Sequence, residues 1–430
     1  MGNSVVWIRK RFVQAITSIF VLLAHTILGW AIGFDLNFGT NGRTLIRLSA
    51  DNNASAQSRK VFVGSLGSLF VVADYSKQGT NGRTSGFGIV RLNSLGGHDL
   101  SYGVNGKALI WSPDFSEDLL RSVMDSAGRI LILSRRGNQR DLKRFNVNGT
   151  VDTSFQPQLP LESDLGLNLH FLDTGANGKI YLLLAGPGGR KLLRLNLDGT
   201  RDASFGSDGI RSMDLARLGS VVTFSGLHET AGSKLILTGR STLPNSFFAM
   251  RFNNDGFIDM AYGRQGVLWG GIEHWAGGKA ATSRILGDGC IFLAGYEGFY
   301  QDQTTVIFKI GSRGRPDGSF GRNGKVSSYF DPASSIEDVV ITPEQKIYAV
   351  GTGGATDFLP VRTRVFVVRY SQVGQQEALF QTDFNFDRNA TVQSIARHTD
   401  GKVIIAGSSA ISPPSQPTYG NEIAVAKLDH

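Results

Sequence analysis

Seven aromatic residues, Phe38, Tyr102, Phe155, Phe205, Tyr262, Phe320 and Phe380, recur in similar local contexts at intervals of 50 to 64 residues. Such a repeat constrains the chain more than composition does, because each unit must bury its apolar surface against a neighbour and the array must end somehow. An acid stands three residues before every aromatic: Asp35, Asp99, Asp152, Asp202, Asp259, Asp317 and Glu377. Eleven residues before the last six aromatics stands Arg91, Arg144, Arg194, Arg251, Lys309 or Arg369, and six before them Gly96, Gly149, Gly199, Gly256, Gly314 or Gly374. A glycine follows the aromatic at Gly39, Gly103, Gly206, Gly263 and Gly321.

Around these landmarks the chain reads strand, turn, strand. Phe248–Phe252 leads through Asn253-Asn254-Asp255-Gly256 to the Tyr262-Gly263 segment, a hairpin by its turn chemistry. Upstream lies a second hairpin, clearest as Ser394–Arg397, then His398-Thr399-Asp400-Gly401, then Lys402–Gly407. The same slot recurs at Arg129–Leu133, Lys179–Leu183, Lys234–Leu237 and Lys346–Val350, so each repeat is expected to hold four strands. The second strand is apolar without alternation, which requires cover on both faces. Four-stranded units of about 57 residues, each sandwiched between two others, close radially. The expectation is an all-β, seven-bladed β-propeller of four-stranded antiparallel blades over residues 34–430.

The ends of the chain fit closure. The segment from Phe38-Gly39 to about Leu48 lacks three partner strands, and Ile423–Leu428 is a third strand lacking its fourth. The first strand is expected to complete the last blade and remove two unpaired edges. The 54 glycines against 12 prolines suit many tight turns, and a single cysteine, Cys290, excludes an intramolecular disulfide framework. Within Gly289–Gly295, Cys290 reads as a small hydrophobe rather than a nucleophile.

Residues 1–33 read as a secretory signal: a basic start (Arg9, Lys10, Arg11), an apolar run from Phe12 to about Ile32, and Ala31-Ile32-Gly33 as a small-x-small cleavage site. An uncleaved anchor is the competing reading, since about 20 apolar residues span a bilayer. With cleavage the mature form carries no membrane span and is expected in the periplasm, at the cell surface or outside the cell. The formal charge is +8, three of it in that leader, and basic and acidic residues alternate instead of clustering, which argues against nucleic acid.

The run Arg-x-Asn-x-Asp-Gly-x-x-Asp-x-Ser-Phe-Gly from Arg194 to Gly206, followed by Gly209, together with the Asp400-Gly401-Lys402 turn, resembles the delta-60 repeat family, a bacterial group whose repeats are assigned to β-propellers. The resemblance covers nearly all of the chain after the leader. It implies the fold and export, and carries no catalytic residues to transfer. Departures are local: Gln156 and Gln381 replace the glycine after the aromatic, Leu159 and Phe384 the next glycine, and Glu344-Gln345 the Asp-Gly pair. The third and last copies are therefore expected to be distorted.

The repeated Arg and Asp are read as structural, with the Arg bonding the Asp or the turn carbonyls of its own hairpin. No acidic ligand set for calcium follows Asn196-Leu197-Asp198-Gly199 or Asn253-Asn254-Asp255-Gly256, no histidine pair has metal spacing, and no nucleotide or acyl-hydrolase motif occurs. Neither a metal nor a cofactor is expected.

In a propeller the connections between second and third strands, and from each fourth strand to the next first, share one face. Here Ser76–Ser85, Ser241–Ser246, Glu297–Thr305, Gly351–Arg364 and Ser408–Glu422 vary most in length, and variation on a rigid ring builds recognition. The aromatics Trp269, His274, Trp275, Phe299, Tyr300, Phe358 and Tyr419 are the candidate contacts for an envelope or extracellular polysaccharide or protein. The expectation is a monomeric binding scaffold. Two alternatives stand beside it: a polysaccharide-directed hydrolase or lyase using acids such as Glu162, Asp164, Glu229, Glu273, Glu297 and Asp302 at the channel, and a purely structural surface protein.

Overall fold

The computed structural model describes residues 32–429 apart from 161–167, 271–277, 355–362, 411–419 and several shorter stretches. Among the described residues, twenty-eight strands form seven antiparallel sheets, each one blade of a seven-bladed β-propeller. Blade 1 runs through Ala54–Val63, Leu69–Gly79, Gly82–Leu92 and Lys107–Ile110, in that order from the channel outward. Blades 3 to 6 repeat this order, with innermost strands Asn168–Thr174, Val222–Glu229, Gly278–Ile285 and Ser335–Ile341.

The second strands are the most buried elements, as their unbroken apolar runs require: Leu69–Ala73 and Val403–Ala406 lose all or nearly all contact with solvent. Their side chains alternate between the two neighbouring blades. The core is accordingly a set of apolar interfaces, one between each pair of consecutive blades.

Ring closure follows the expectation. Arg43–Ile46 pairs with Asn421–Asp429 as the outermost strand of blade 7, and Gly33–Phe34 adds two further pairs at Asp429 and Leu428. Buried Phe38, Ile46 and Leu48 then join Ile404 and Ile423 of blade 7 to Val61, Leu69 and Val71 of blade 1. Asp35, buried beside this strand, accepts a hydrogen bond from Lys402 Nζ at 2.8 Å, and its backbone N–H donates to Lys427 O at 2.9 Å.

The repeated residues form a clasp between blades. In each of the six copies the third-strand cation pairs with the acid eight residues on, from Arg194–Asp202 at 2.7 Å to Arg91–Asp99 at 3.2 Å. The guanidinium also reaches the turn of the next blade: Arg251 donates to Ser312 O at 2.7 Å, Arg144 to Leu197 O, and Arg194 to Asn254. This corrects the expectation that the turn carbonyls belong to the same hairpin. Lysines at the start of the second strand complete the clasp, with Lys179 on Asp202 at 2.9 Å and Lys234 on Asp259 at 2.6 Å.

The glycine after the aromatic is required by the same contact. Gly103 has φ +55, its N–H donates to Asn148 O of the next turn at 2.7 Å, and a Cβ there would lie 2.1 Å from Lys107 O. Where the glycine is lost the blade changes. After Phe155 come Gln156 and Pro157, Gln158 N–H bonds Gly199 O instead, and blade 2 has three strands among the described residues rather than four. In blade 6 the fourth strand, Gln376–Thr382, starts directly after the turn; Phe380 lies within it, paired with Val367, and meets Phe34 edge-on at 5.2 Å.

The clasp predicts a clear stability effect. Arg194 is buried, stacks over Phe205 at 4.4 Å and holds Asp202, Ser204 and Asn254. Arg194→Ala is expected to lower unfolding stability by about 2–4 kcal/mol in denaturant titration, since it strips partners from a buried acid while Lys179 still neutralises part of its charge. Asp317 shows the pH sense: hydrogen bonds from Lys309 and Ser319 hold its carboxyl down at about 2, so its contribution is complete above about pH 4 and is lost as pH falls through 2.

Candidate functional site in the central channel

The channel is walled by the innermost strand of each blade, and every one of the seven carries a β-bulge at its matching position. The bulges lie between Ser58/Lys60, Leu119/Arg121, Leu169/Phe171, Phe224/Gly226, Ala280/Thr282, Ile336/Asp338 and Val392/Ser394. In blades 2 to 7 the bulge comes within the first few residues of its strand, toward the face of the variable connections. An extra residue on a strand edge re-aims the side chains beside it. Here it brings a ring of residues to a cavity of about 300 Å³ lined by Lys60, Arg121, Asp173, His228, Arg284 and Asp338, among others.

Unlike the clasp, this ring does not repeat. After the bulge stand Lys60, Arg121, Phe171, Gly226, Thr282, Asp338 and Ser394; two residues further along stand Phe62, Val123, Asp173, His228, Arg284, Val340 and Ala396. The backbone is common to all blades, so it does not dictate these side chains.

Asp338, 1% exposed, is the hub. Its two oxygens accept from Lys60 Nζ at 2.7 Å, Arg284 Nη2, Thr282 Oγ1 at 3.2 Å, Ser394 Oγ at 3.1 Å, Ile395 N at 3.2 Å and its neighbour Val339 N at 2.9 Å. Burial pushes its carboxyl up, but Arg284 and Lys60 outweigh this and hold it below the usual range. Four blades thus meet on one carboxylate.

A second set of side chains lines the same cavity. His228 Nε2 shares a hydrogen with Ser283 Oγ at 2.7 Å, Ser283 Oγ meets Thr238 Oγ1 at 2.7 Å, and His228 Nδ1 stands 3.6 Å from Asp173 Oδ2. Burial, helped by Arg284, pushes His228 down to about 3; burial raises Asp173 to about 7 despite the nearby cations. The order serine, histidine, aspartate resembles nucleophilic catalysis, but Ser283 is 1% exposed and its hydroxyl is already shared with Thr238.

Of the acids named for the channel, three are among the described residues. Glu297 is buried in blade 5 against Lys325 at 2.8 Å, and Glu229 accepts from Tyr181 Oη at 3.3 Å; Asp302 follows the second strand of blade 5, and Glu162, Asp164 and Glu273 fall outside the described residues. Trp269 sits in the fourth strand of blade 4, partly buried and edge-on to Phe248 at 6.1 Å. His274, Trp275, Phe299, Tyr300, Phe358 and Tyr419 fall outside the described residues. A wider cleft of about 710 Å³ opens beside Asn37, Arg43 and Leu95, where blade 7 meets blade 1, and is lined by clasp and turn residues.

Residues 176–205 match a β-propeller domain of unknown function, DUF5122. No curated protein matches the chain. Among solved structures, the extracellular domain of a putative one-component system from B. thetaiotaomicron is 12% identical, with 90% of this chain covering 40% of that one at a TM-score of 0.47. A protein of unknown function from Dyadobacter fermentans is 11% identical, with 90% of this chain covering 99% of that one at a TM-score of 0.46. The molecule is a seven-bladed β-propeller with a polar, unrepeated channel site.

Proposed function

We propose that this chain is an exported binding scaffold that recognises an envelope or extracellular polysaccharide or protein through the face carrying its variable connections, with the channel mouth at the centre. The observation that carries the reading is the contrast between the two polar sets. The Arg–acid–aromatic clasp repeats because every blade needs it, whereas the channel positions share a backbone and diverge in chemistry. In this reading Trp269, His274, Trp275, Phe299, Tyr300, Phe358 and Tyr419 are the side chains that contact the ligand. The protein is monomeric, and its repeats belong with the delta-60 group. Export follows from the leader, with cleavage near Gly33 leaving Phe34 to pair with Leu428.

Catalysis on a polysaccharide is the weaker reading. Hydrolysis of a glycosidic bond uses a pair of carboxyl groups, while Asp338 is held by Lys60 and Arg284 and Glu337 by Lys279 at 3.1 Å, which leaves Asp173 without a second free carboxyl among the described lining residues. The test is a titration of the purified mature chain, residues 34–430, with polysaccharide, lipid and protein fractions of the envelope, followed by tryptophan fluorescence from Trp111, Trp269 and Trp275. A saturable change with one fraction and no new products is expected. Silence toward all fractions, or turnover of one of them, contradicts the proposal.

A further inference from the structure

We propose that the channel cavity is a binding site for a small monocarboxylate, gripped by the guanidinium of Arg121 and met on its other side by the carboxyl of Asp173. This goes beyond recognition by the loop face and stands without it.

Arg121 is the residue that the blade 2 bulge turns into the channel, and it remains open to solvent there. Its guanidinium stacks over Phe171 at 4.5 Å and, among the described residues, makes no hydrogen bond or ion pair. The stack fixes the plane of the fork and leaves its edge for a planar, two-oxygen acceptor. The neighbouring cations are committed: Arg59 to Asp74, and Lys60 and Arg284 to Asp338. Because two cations share one carboxylate, that group still carries net positive charge, and the cavity attracts an anion.

Asp173 completes the site. Its Oδ1 accepts from Thr174 N at 2.8 Å, and among the described residues the one charged or chargeable group within ion-pair distance of Oδ2 is His228, at 3.6 Å. Burial raises its carboxyl to about 7, against the pull of Arg284, Lys60 and Arg121, while the adjacent His228 is neutral. Below that pH it presents an O–H to an incoming carboxylate; above it, it repels one. A dianion is disfavoured beside the ionised fraction of Asp173. The volume of about 300 Å³ suits a single sugar acid or a smaller molecule, not a polymer segment.

Isothermal titration of the full chain with D-glucuronate, acetate, glucose and inorganic phosphate tests the site. Both carboxylates are expected to bind one per chain, with glucose silent and phosphate at least tenfold weaker. Arg121→Gln is expected to lower carboxylate affinity at least tenfold with an unchanged unfolding midpoint, and Arg121→Lys to lower it less. Affinity is expected to drop at least tenfold between pH 6 and pH 8.5 in the wild type and to stay level in Asp173→Asn. Absence of saturable heat with both carboxylates, phosphate binding as tightly as they do, or full affinity in either Arg121 variant overturns the proposal. A polymer that binds while these acids do not leaves the loop-face reading standing and removes this one.

Discussion

Asp338→Ala is expected to cost about 3–5 kcal/mol of unfolding stability, more than any other single substitution in the channel. The reason is the imbalance it leaves: Lys60 and Arg284 lose the carboxylate they share, and Thr282, Ser394 and two backbone amides lose their acceptor in a buried position. Asp338→Asn keeps the shape and some acceptor capacity, so its loss should be smaller. The native carboxyl is held below its unfolded value, so its contribution is complete above about pH 4 and disappears as pH falls below it. The wild-type advantage over Asp338→Ala should therefore shrink in acid. Denaturant titrations of both proteins at pH 7 and pH 3 measure this; a cost under about 1 kcal/mol at pH 7 would mean the hub does not hold the blades.

The second large effect is at the closure. Removing residues up to Leu48 takes Phe38, Ile46 and Leu48 from the interface of blades 7 and 1 and strips the outer edge of Asn421–Asp429. Burial of those three side chains alone contributes roughly 5–9 kcal/mol. Asp35 also leaves Lys402, whose ammonium its hydrogen bond helps to hold up at about 12. The truncated chain is expected to unfold at a markedly lower denaturant midpoint and to aggregate through the exposed edge. Supplying residues 34–48 after residue 430 through a flexible linker, as a circular permutation, should restore the wild-type midpoint. Failure of that restoration would show that the segment acts by something other than completing the blade.

The propeller was legible because its signal is repeated. Six copies of the Arg–acid–aromatic spacing mark hairpins that any one copy would leave ambiguous, and the lone first and last strands point to closure. The direction of the clasp was not legible: Arg251 reaching Ser312 depends on how blades 4 and 5 stack, which no local pattern encodes. Blade 2 showed its deviation through Gln156 and Leu159, and among the described residues it has three strands.

The channel was hidden for a different reason. A bulge displaces the inside-outside alternation by one residue, so in Ser335–Ile341 nothing in the sequence tells Glu337 from Asp338 as the inward carboxylate. Glu297, equally acidic in the sequence, is buried by the fold against Lys325 within blade 5. A usable signal existed. Aligning the first strands on their partners would have set Asp173, His228 and Arg284 at one level, each an ionisable interruption where other blades carry Phe62, Val123, Val340 and Ala396.

Residues that serve the ring are distinct from residues that serve a ligand, and two arginines test that division directly. Arg194 and Arg121 are chemically identical, one in the clasp and one in the channel. Unfolding stability and D-glucuronate affinity are to be measured for Arg194→Ala and Arg121→Gln side by side. Arg194→Ala should lose about 2–4 kcal/mol of stability and keep its affinity, whereas Arg121→Gln should keep its stability and lose at least tenfold in affinity. Equal losses of stability in the two variants, with affinity unchanged in both, would contradict it.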